Sequence, residues 1–356
     1  MSETRLGPAA LGRIAERADA SGLLRLGIVG LEHRGFEPAA AALDRFVAAG
    51  FHGEMGFMER TLEVRKDPAQ MLPGARSVLV AAVPYRGEPG SGVARYARSA
   101  DYHTVMYSRL EAVVSALKLE LPDAQTLICV DTKPLQERTA AALAGLGFIG
   151  KHGCVIVPGL GSYVLLGAVL TDALWTGEDA VQELRRARWD ACGSCTRCLD
   201  ACPTQAFDAP GVLDPRRCIS YLTIEHRGPI DDALAEGMGP WVAGCDVCQE
   251  VCPYNASGKR ESRVRDDVWL PEVSGGPRPA DPVALAQLGS SRHRAFVRDT
   301  ALRRIPRRSL RRNALIALGN RSGALSAEED AAVRKGESDG DPQVQAAAER
   351  VRRRRG

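Results

Sequence analysis

Cys192-Gly-Ser-Cys195-Thr-Arg-Cys198-Leu-Asp-Ala-Cys202-Pro203 decides the reading of this chain. This C-x2-C-x2-C-x3-C-P run has the bacterial two-cluster iron–sulfur spacing, in which the fourth cysteine ligates the other cluster. A second run, Cys245, Cys248, Cys252 and Pro253, ends the same way but is one thiolate short. Cys218 is the nearby residue able to supply it. Exchanging the fourth ligands gives Cys192, Cys195, Cys198 and Cys252 for one 4Fe–4S cluster and Cys202, Cys218, Cys245 and Cys248 for the other. Every thiolate of the two runs is then used. Disulfides would suit a small secreted domain, not a chain of 356 residues with no secretory signal. All-cysteine zinc sites usually present paired CxxC knuckles, not a triple CxxCxxC closed by Cys-Pro.

The remaining composition is that of a soluble globular chain of two or three domains, 45% hydrophobic and 26% charged. No apolar run approaches the ~18 residues of a membrane span. The start, MSETRLGPAALGRIAERADA, has neither a secretory nor a twin-arginine pattern. A cytoplasmic chain with reduced thiols and no membrane contact is expected. Cys129 and Cys154 lie in apolar stretches and read as small buried residues. The net charge of +3 is unevenly spread: Arg292–Arg312 holds nine arginines against Asp299, and the chain ends in four arginines and a glycine. Such a run is either a solvated face with a tail or a grip on phosphates.

Residues 1–175 read as an α/β domain. Ser77–Pro84 (SVLVAAVP) is a continuous apolar run, as a buried parallel strand should be. Leu110, Val113, Val114 and Leu117 place an amphipathic helix over Ser108–Leu121, stopped by Pro122. Gln125–Val130 reads as a second strand, Leu135–Leu146 as a helix, and Cys154–Val157 with Ser162–Leu170 as a hairpin. A charged helical segment over 176–190 leads into the cysteine module, 176–257. Residues 258–281 suit a linker. From 282 to 356 the pattern is helical, with a buried stripe at Ala314, Leu315, Ala317 and Leu318 and a helix at Gln343–Arg355. This pairing suggests one HEAT-type repeat.

Iron–sulfur clusters move single electrons, so substrate chemistry belongs to the α/β domain. Asp131 follows a buried strand, where open α/β sheets place ligands. Burial would raise its pKa and make it a general acid; equally, it could cap the helix after Pro134. Tyr102 and His103 form a polar-aromatic cluster after the loop Gly87–Gly92. Asp101-Tyr-His-Thr-Val-Met106 approaches the D-x-H-x-x-G element that gives cobalamin a histidine ligand, but Met106 replaces its glycine. No GxGxxG or P-loop is present, which argues against nicotinamide or nucleoside triphosphate sites.

Several longer stretches resemble the epoxyqueuosine reductase family. They are Cys218-Ile-Ser-Tyr-Leu-Thr-Ile-Glu-His-Arg-Gly-Pro-Ile230, Gly244-Cys-Asp-Val-Cys-Gln-Glu-Val-Cys-Pro-Tyr-Asn255, Cys192-Gly-Ser-Cys-Thr-Arg-Cys198, Asp131-Thr-Lys-Pro-Leu-Gln-Glu-Arg138, Gly147-Phe-Ile-Gly-Lys151 and Arg312-Asn-Ala-Leu-Ile-Ala-Leu-Gly-Asn320. The resemblance spans about residues 20–350. It implies a nitroreductase-like cobalamin domain, a ferredoxin-like two-cluster module and a HEAT-like C-terminal region. The implied reaction reduces the epoxide of epoxyqueuosine at the tRNA wobble position to queuosine. Reduced cobalamin attacks the epoxide, the clusters supply electrons, and Asp131 protonates the oxygen. By the same resemblance Arg65, Tyr102, Asp131, Lys151, Ser220 and Asp246 form the cobalamin neighbourhood. The cobalamin is expected base-off, without a protein lower ligand. Arg303, Arg304, Arg307, Arg308, Arg311 and Arg312 are then expected to contact tRNA, with the chain acting as a monomer fed by an electron donor that its sequence does not identify.

Three rival readings are weaker. Reductive dehalogenases join the same cofactors but usually carry a twin-arginine signal and no basic helical repeat. A ferredoxin with an RNA-binding tail leaves the α/β domain without a role. Radical-SAM enzymes use C-x3-C-x2-C.

Overall fold

The structure, a computed structural model, describes residues 4–23, 25–90, 92–180, 189–255, 270–274 and 280–356. The apolar run Ser77–Pro84 is a strand along its whole length, with every residue buried. It belongs to a sheet of β1 (Arg25–Gly30), β2 (Ser77–Pro84), β3 (Thr126–Cys129) and β4 (Val164–Thr171), in the spatial order β1-β2-β4-β3. All its pairings are antiparallel, with Ile28 opposite Leu79, Val80 opposite Ala168 and Ile128 opposite Val169. This corrects the parallel sheet expected from the sequence. Apolar cover on both faces removes polar alternation whichever way the neighbouring strands run, so a continuous run reports burial and not direction.

Helices Pro8–Ala20 and Tyr102–Glu120 bury Ile14, Ala18, Leu110 and Val113 against Leu79, Ala81 and Val169 on one face. Phe36–Ala48 and Glu137–Leu143 cover Val78, Val80 and Leu170 on the other. Tyr102–Glu120 begins ahead of the predicted Ser108 because the Asp101 side chain accepts the His103 amide and caps it. The predicted hairpin reduces to one bridge, Val157 to Gly161; Val155–Ile156 pairs instead with Phe148–Ile149. Most of the expected 176–190 helix and 258–281 linker lies outside the described residues. Within that linker, Leu270 and Val273 are buried in the core that holds Ile14 and Leu79.

The cysteine module contributes short helices at Arg197–Asp200, Ile219–Ile224 and Val247–Glu250. It shares one core with the C-terminal helices Arg307–Gly319, Ala327–Glu337 and Pro342–Arg355: Ile219, Leu222, Trp241 and Val242 pack with Leu310, Leu315, Leu318 and Val351. No helix among the described residues is long and apolar enough to cross a membrane.

The arginine run divides by burial, which corrects the expectation that it forms one basic face. Arg303 and Arg308 are exposed and Arg307 half-buried. Arg311 and Arg312 are buried. Arg311 donates to the Ala286 carbonyl at 2.8 Å and pairs with Asp339. Arg312 donates to the carbonyls of Leu222 (2.6 Å), His226 (3.0 Å) and Gly228 (2.7 Å). The terminal arginines are no free tail either. They end the helix Pro342–Arg355, where Arg352 pairs with Asp330 and Glu337, Arg353 with Asp232, Arg354 with Glu236 and Arg355 with Glu329.

Replacing Arg312 by methionine strands three buried carbonyls and should cost about 3 kcal/mol or more, whereas Arg308→Ala should stay within about 0.5 kcal/mol. Denaturant unfolding of both variants checks the contrast. Equal losses would contradict the division of the run.

Candidate active site

The chain leaves β3 at Cys129 and turns sharply at Asp131, whose φ of +49° lies in the left-handed region. The Asp131 amide donates to Glu137 Oε1 at 2.8 Å. Gln136, not Asp131, stands at the cap of the helix Glu137–Leu143, so the capping alternative is excluded. Asp131 Oδ2 instead meets His103 Nε2 at 3.2 Å, while His103 Nδ1 lies 2.6 Å from Asp101 Oδ1. The Tyr102 hydroxyl also bonds to Asp131. The Tyr102 ring stacks on His103 with centroids 4.1 Å apart and meets Tyr96 edge-on at 5.9 Å.

These contacts set the protons. The hydrogen bond from His103 outweighs burial and holds the Asp131 carboxyl below its ordinary range, the reverse of the raised value expected from sequence. Burial opposes the imidazolium of His103, but Asp131 and Asp101 overcome it and raise its pKa. Burial pushes the Glu137 carboxyl up to about 8. The pair Asp131–His103 therefore keeps its proton mainly on the ring.

Tyr96 is half-buried, within the electrostatic reach of both Asp131 and Asp246. Asp246 is 1% exposed and accepts the Arg95 amide at 2.8 Å, and burial raises its carboxyl. Arg304 reaches this region too: it pairs with Glu225 at 2.6 Å, lies over the Phe57 ring and lowers the Asp131 pKa. Arg65 is close enough to Asp131 and Glu137 for both to act on its guanidinium, which burial otherwise destabilises. Ser220 opens the helix Ile219–Ile224 beside Cys218, to which its amide donates. Lys151 faces elsewhere, donating to the carbonyls of Gly193 (2.7 Å) and Cys195 (3.0 Å) and bracing the first cysteine loop. The structure thus gathers Arg65, Tyr102, Asp131 and Asp246 around Tyr96, with Ser220 on the cysteine side and Lys151 behind it. His103, Glu137 and Tyr96 went unassigned in the sequence; Asp101-x-His103 beside Tyr102 was the signal for the first.

All the cysteines are free thiols. Burial and the nearby Cys252, Cys192 and Cys195 push Cys198 up to about 11. Burial, with Cys218 and Cys202 nearby, pushes Cys245 up to about 12. Cys248 is raised by burial and by Cys154, Cys245 and Cys218. Two crowded groups of sulfurs result. Cys154, half-buried rather than fully so, lies within reach of Asp246, Cys218 and Cys252, while Cys129 is wholly buried.

A bonded acid–imidazole pair set beside two cysteine groups defines an iron–sulfur oxidoreductase. Residues 191–255 match the family model described as 4Fe-4S double cluster binding domain, and residues 65–132 the one described as epoxyqueuosine reductase QueG, DUF1730. The chain is 38% identical over 325 residues to the epoxyqueuosine reductase of Gloeobacter violaceus, covering 88% of this chain and 97% of that one. It is 35% identical to the Xanthomonas campestris enzyme, covering 88% of each. A crystal structure of epoxyqueuosine reductase with a tRNA-Tyr epoxyqueuosine-modified stem loop superposes with a TM-score of 0.79 at 26% identity, covering 96% and 90% of the two chains. The Bacillus subtilis enzyme, solved with its catalytic aspartate loop swung out of the active site, gives 0.78 at 25% identity over 98% and 99%. This chain belongs to the epoxyqueuosine reductase family.

Proposed function

We propose that the chain reduces epoxyqueuosine at the tRNA wobble position to queuosine, using two 4Fe–4S clusters and cobalamin. The observation that carries this is the bonded set Asp131–His103–Tyr102 standing across Tyr96 from the cysteine module. The relative solved with an epoxyqueuosine-modified stem loop supports the same substrate.

Cluster ligation follows the two sulfur groups: Cys192, Cys195, Cys198 and Cys252 for one, Cys202, Cys218, Cys245 and Cys248 for the other. Unsatisfied buried polar atoms near Asp246 support a polar cofactor on this side of the molecule. The Tyr163 hydroxyl and Arg98 Nη2, both within electrostatic reach of Asp246, are buried without a hydrogen-bond partner among the described residues, and such groups call for one. Arg65, Tyr102, Asp131, Ser220 and Asp246 would hold the corrin, with Lys151 supporting from behind. Both ring nitrogens of His103 face carboxylates, which suits a base-off cofactor with no protein lower ligand. Cobalamin, when bound, supplies the nucleophile that opens the epoxide. Asp131 delivers the proton it shares with His103 to the departing oxygen. Deoxygenation consumes two electrons and two protons and releases water; an external donor feeds the electrons through the clusters one at a time. We read the N-terminal unit as nitroreductase-like, the helices after Pro306 as a HEAT-type repeat, and the protein as a cytoplasmic monomer. Arg303, Arg304, Arg307 and Arg308 remain to meet tRNA phosphates.

Three measurements test this reading. Asp131→Asn should keep its melting temperature, iron and corrinoid yet lose about 10²–10⁴ in turnover; activity within a few-fold of the parent would remove Asp131 from the chemistry. Cys218→Ala should lose the iron of one cluster and leave the spectrum of the other intact, and full iron content would refute the crossed assignment. Arg303 and Arg308 changed together to alanine should flatten the log–log dependence of tRNA affinity on salt by roughly one to two units. An unchanged slope would move the tRNA contacts elsewhere.

A further inference from the structure

We propose that Glu137 is a latch for Asp131: its carboxyl accepts the Asp131 amide hydrogen and so fixes the backbone that aims the acid. The latch rests on the role of Asp131 given above. At a φ of +49° a residue with a side chain is strained and keeps that conformation only where its surroundings impose it. The bonds from His103 and Tyr102 orient the carboxylate but leave φ free. The amide bond to Glu137 Oε1, 2.8 Å long, acts on the strained backbone itself. It is anchored in a rigid element, since Thr139–Leu143 of the same helix are buried. A second tie, from Gln136 Nε2 to the Arg65 carbonyl at 3.0 Å, holds the helix start to the segment carrying Arg65. A first-turn glutamate ordinarily serves its own helix, by capping or by opposing the macrodipole. Here it turns back across the loop to the residue that does the chemistry. The Bacillus subtilis relative, with its catalytic aspartate loop swung out, gives that loop a second position within the family. A bond to the loop's strained residue is what selects one position over the other.

Glu137 is faced by Asp131 on the loop, Tyr102 on the adjoining helix, Arg65, its neighbour Arg138 and Cys129 on β3. Burial pushes its carboxyl from an ordinary 4.5 to about 8 in the latched form. A swung-out loop would expose the group and return it towards the ordinary value, so the latched form holds the proton more tightly. The sign follows: latching is most favoured at acid pH and weakens as pH rises from the ordinary carboxyl value to about 8. Above that, two carboxylates repel each other across the loop.

The test compares Glu137→Ala, which removes the acceptor, with Glu137→Gln, which keeps an acceptor oxygen but cannot titrate. Turnover of a modified tRNA stem loop, iron and corrinoid content, and amide hydrogen exchange over residues 130–136 are read on the loaded enzyme. Glu137→Ala should lose about 10–100-fold in kcat at unchanged KM, with cofactors retained and faster exchange in that segment. Glu137→Gln should stay within a few-fold of the parent and show a shallower decline in kcat as pH rises to about 8, keeping only the part set by His103. An alanine variant with parental kcat and exchange, or a glutamine variant as impaired as alanine, overturns the latch. Should the alanine variant fail to fold, the glutamine variant decides: a parental pH profile overturns the latch, and a decline reduced to the part set by His103 upholds it. Asp131→Asn keeps the two readings apart. If it is active, the acid role falls; if it is inactive while Glu137→Ala is fully active, the latch alone falls.

Discussion

A buried guanidinium with no carboxylate partner among the described residues ties the cysteine module to the C-terminal helices. Arg312 is fully buried, and desolvation pushes its pKa down to about 10. The cost is offset by carbonyls that converge on it from Leu222, His226 and Gly228, while Asn313 beside it donates to Thr223 and Val242 at 2.9 Å each. These carbonyls belong to the segments that follow Cys218 and precede Cys245. One turn of the helix Arg307–Gly319 therefore fixes both stretches that carry sulfurs of the second group. The same segment reaches the α/β domain, where the Tyr221 hydroxyl accepts the Glu54 amide at 2.8 Å. That approach needs Gly53, with a φ of +53° and no room for a Cβ beside the tyrosine ring. The lesson is general: a charge buried among dipoles fixes geometry more sharply than one paired at the surface.

The sulfur groups pose the opposite problem. Burial and neighbouring sulfurs both disfavour thiolate, pushing Cys198 up to about 11 and Cys245 up to about 12. The positive charge of an iron core bound there would offset both effects. Lys151, bonded to the carbonyls of Gly193 and Cys195, holds the first loop in shape independently of the metal.

How much of this was readable in the sequence depended on whether spacing or environment carried the information. Cysteine spacing survives any packing, and the two-cluster reading it gave agrees with the match of residues 191–255 to a 4Fe-4S double cluster domain. Ser77–Pro84 was legible as a strand because burial on both faces leaves an uninterrupted apolar run; its direction was not, because the partners of a strand leave no mark on it. β1, Arg25-Leu-Gly-Ile-Val-Gly30, was missed: glycines interrupt its pattern, one of them, Gly27, set against the Ala144 carbonyl. The arginine run misled because charge is a property of sequence and burial is not. Arg311 and Arg312 read like Arg308, yet the helix turns them inward to carbonyls supplied by distant segments. His103 was weighed as a cobalt ligand and set aside; its partners, Asp101 beside it and Asp131 far along the chain, could be joined only by the fold.

The lowered Asp131 pKa looks at first like an obstacle to proton delivery, since an acid works best when its pKa lies near the working pH. The structure resolves it through the partner. His103, raised by two carboxylates, carries a proton at a pH where Asp131 alone would have none, and it lies 3.2 Å from the carboxylate oxygen. An alkoxide leaving an epoxide is far more basic than either group, so transfer from the pair runs downhill once the bond opens. In the proposed reaction the ring would serve as reservoir and Asp131 as the point of delivery, with the Tyr102 hydroxyl steadying the carboxylate between the two. Asp101 completes the order: by holding His103 Nδ1 it keeps Nε2 directed at Asp131. An aspartate pinned to an imidazolium is thus a competent donor where an isolated buried aspartic acid would need its pKa raised by several units.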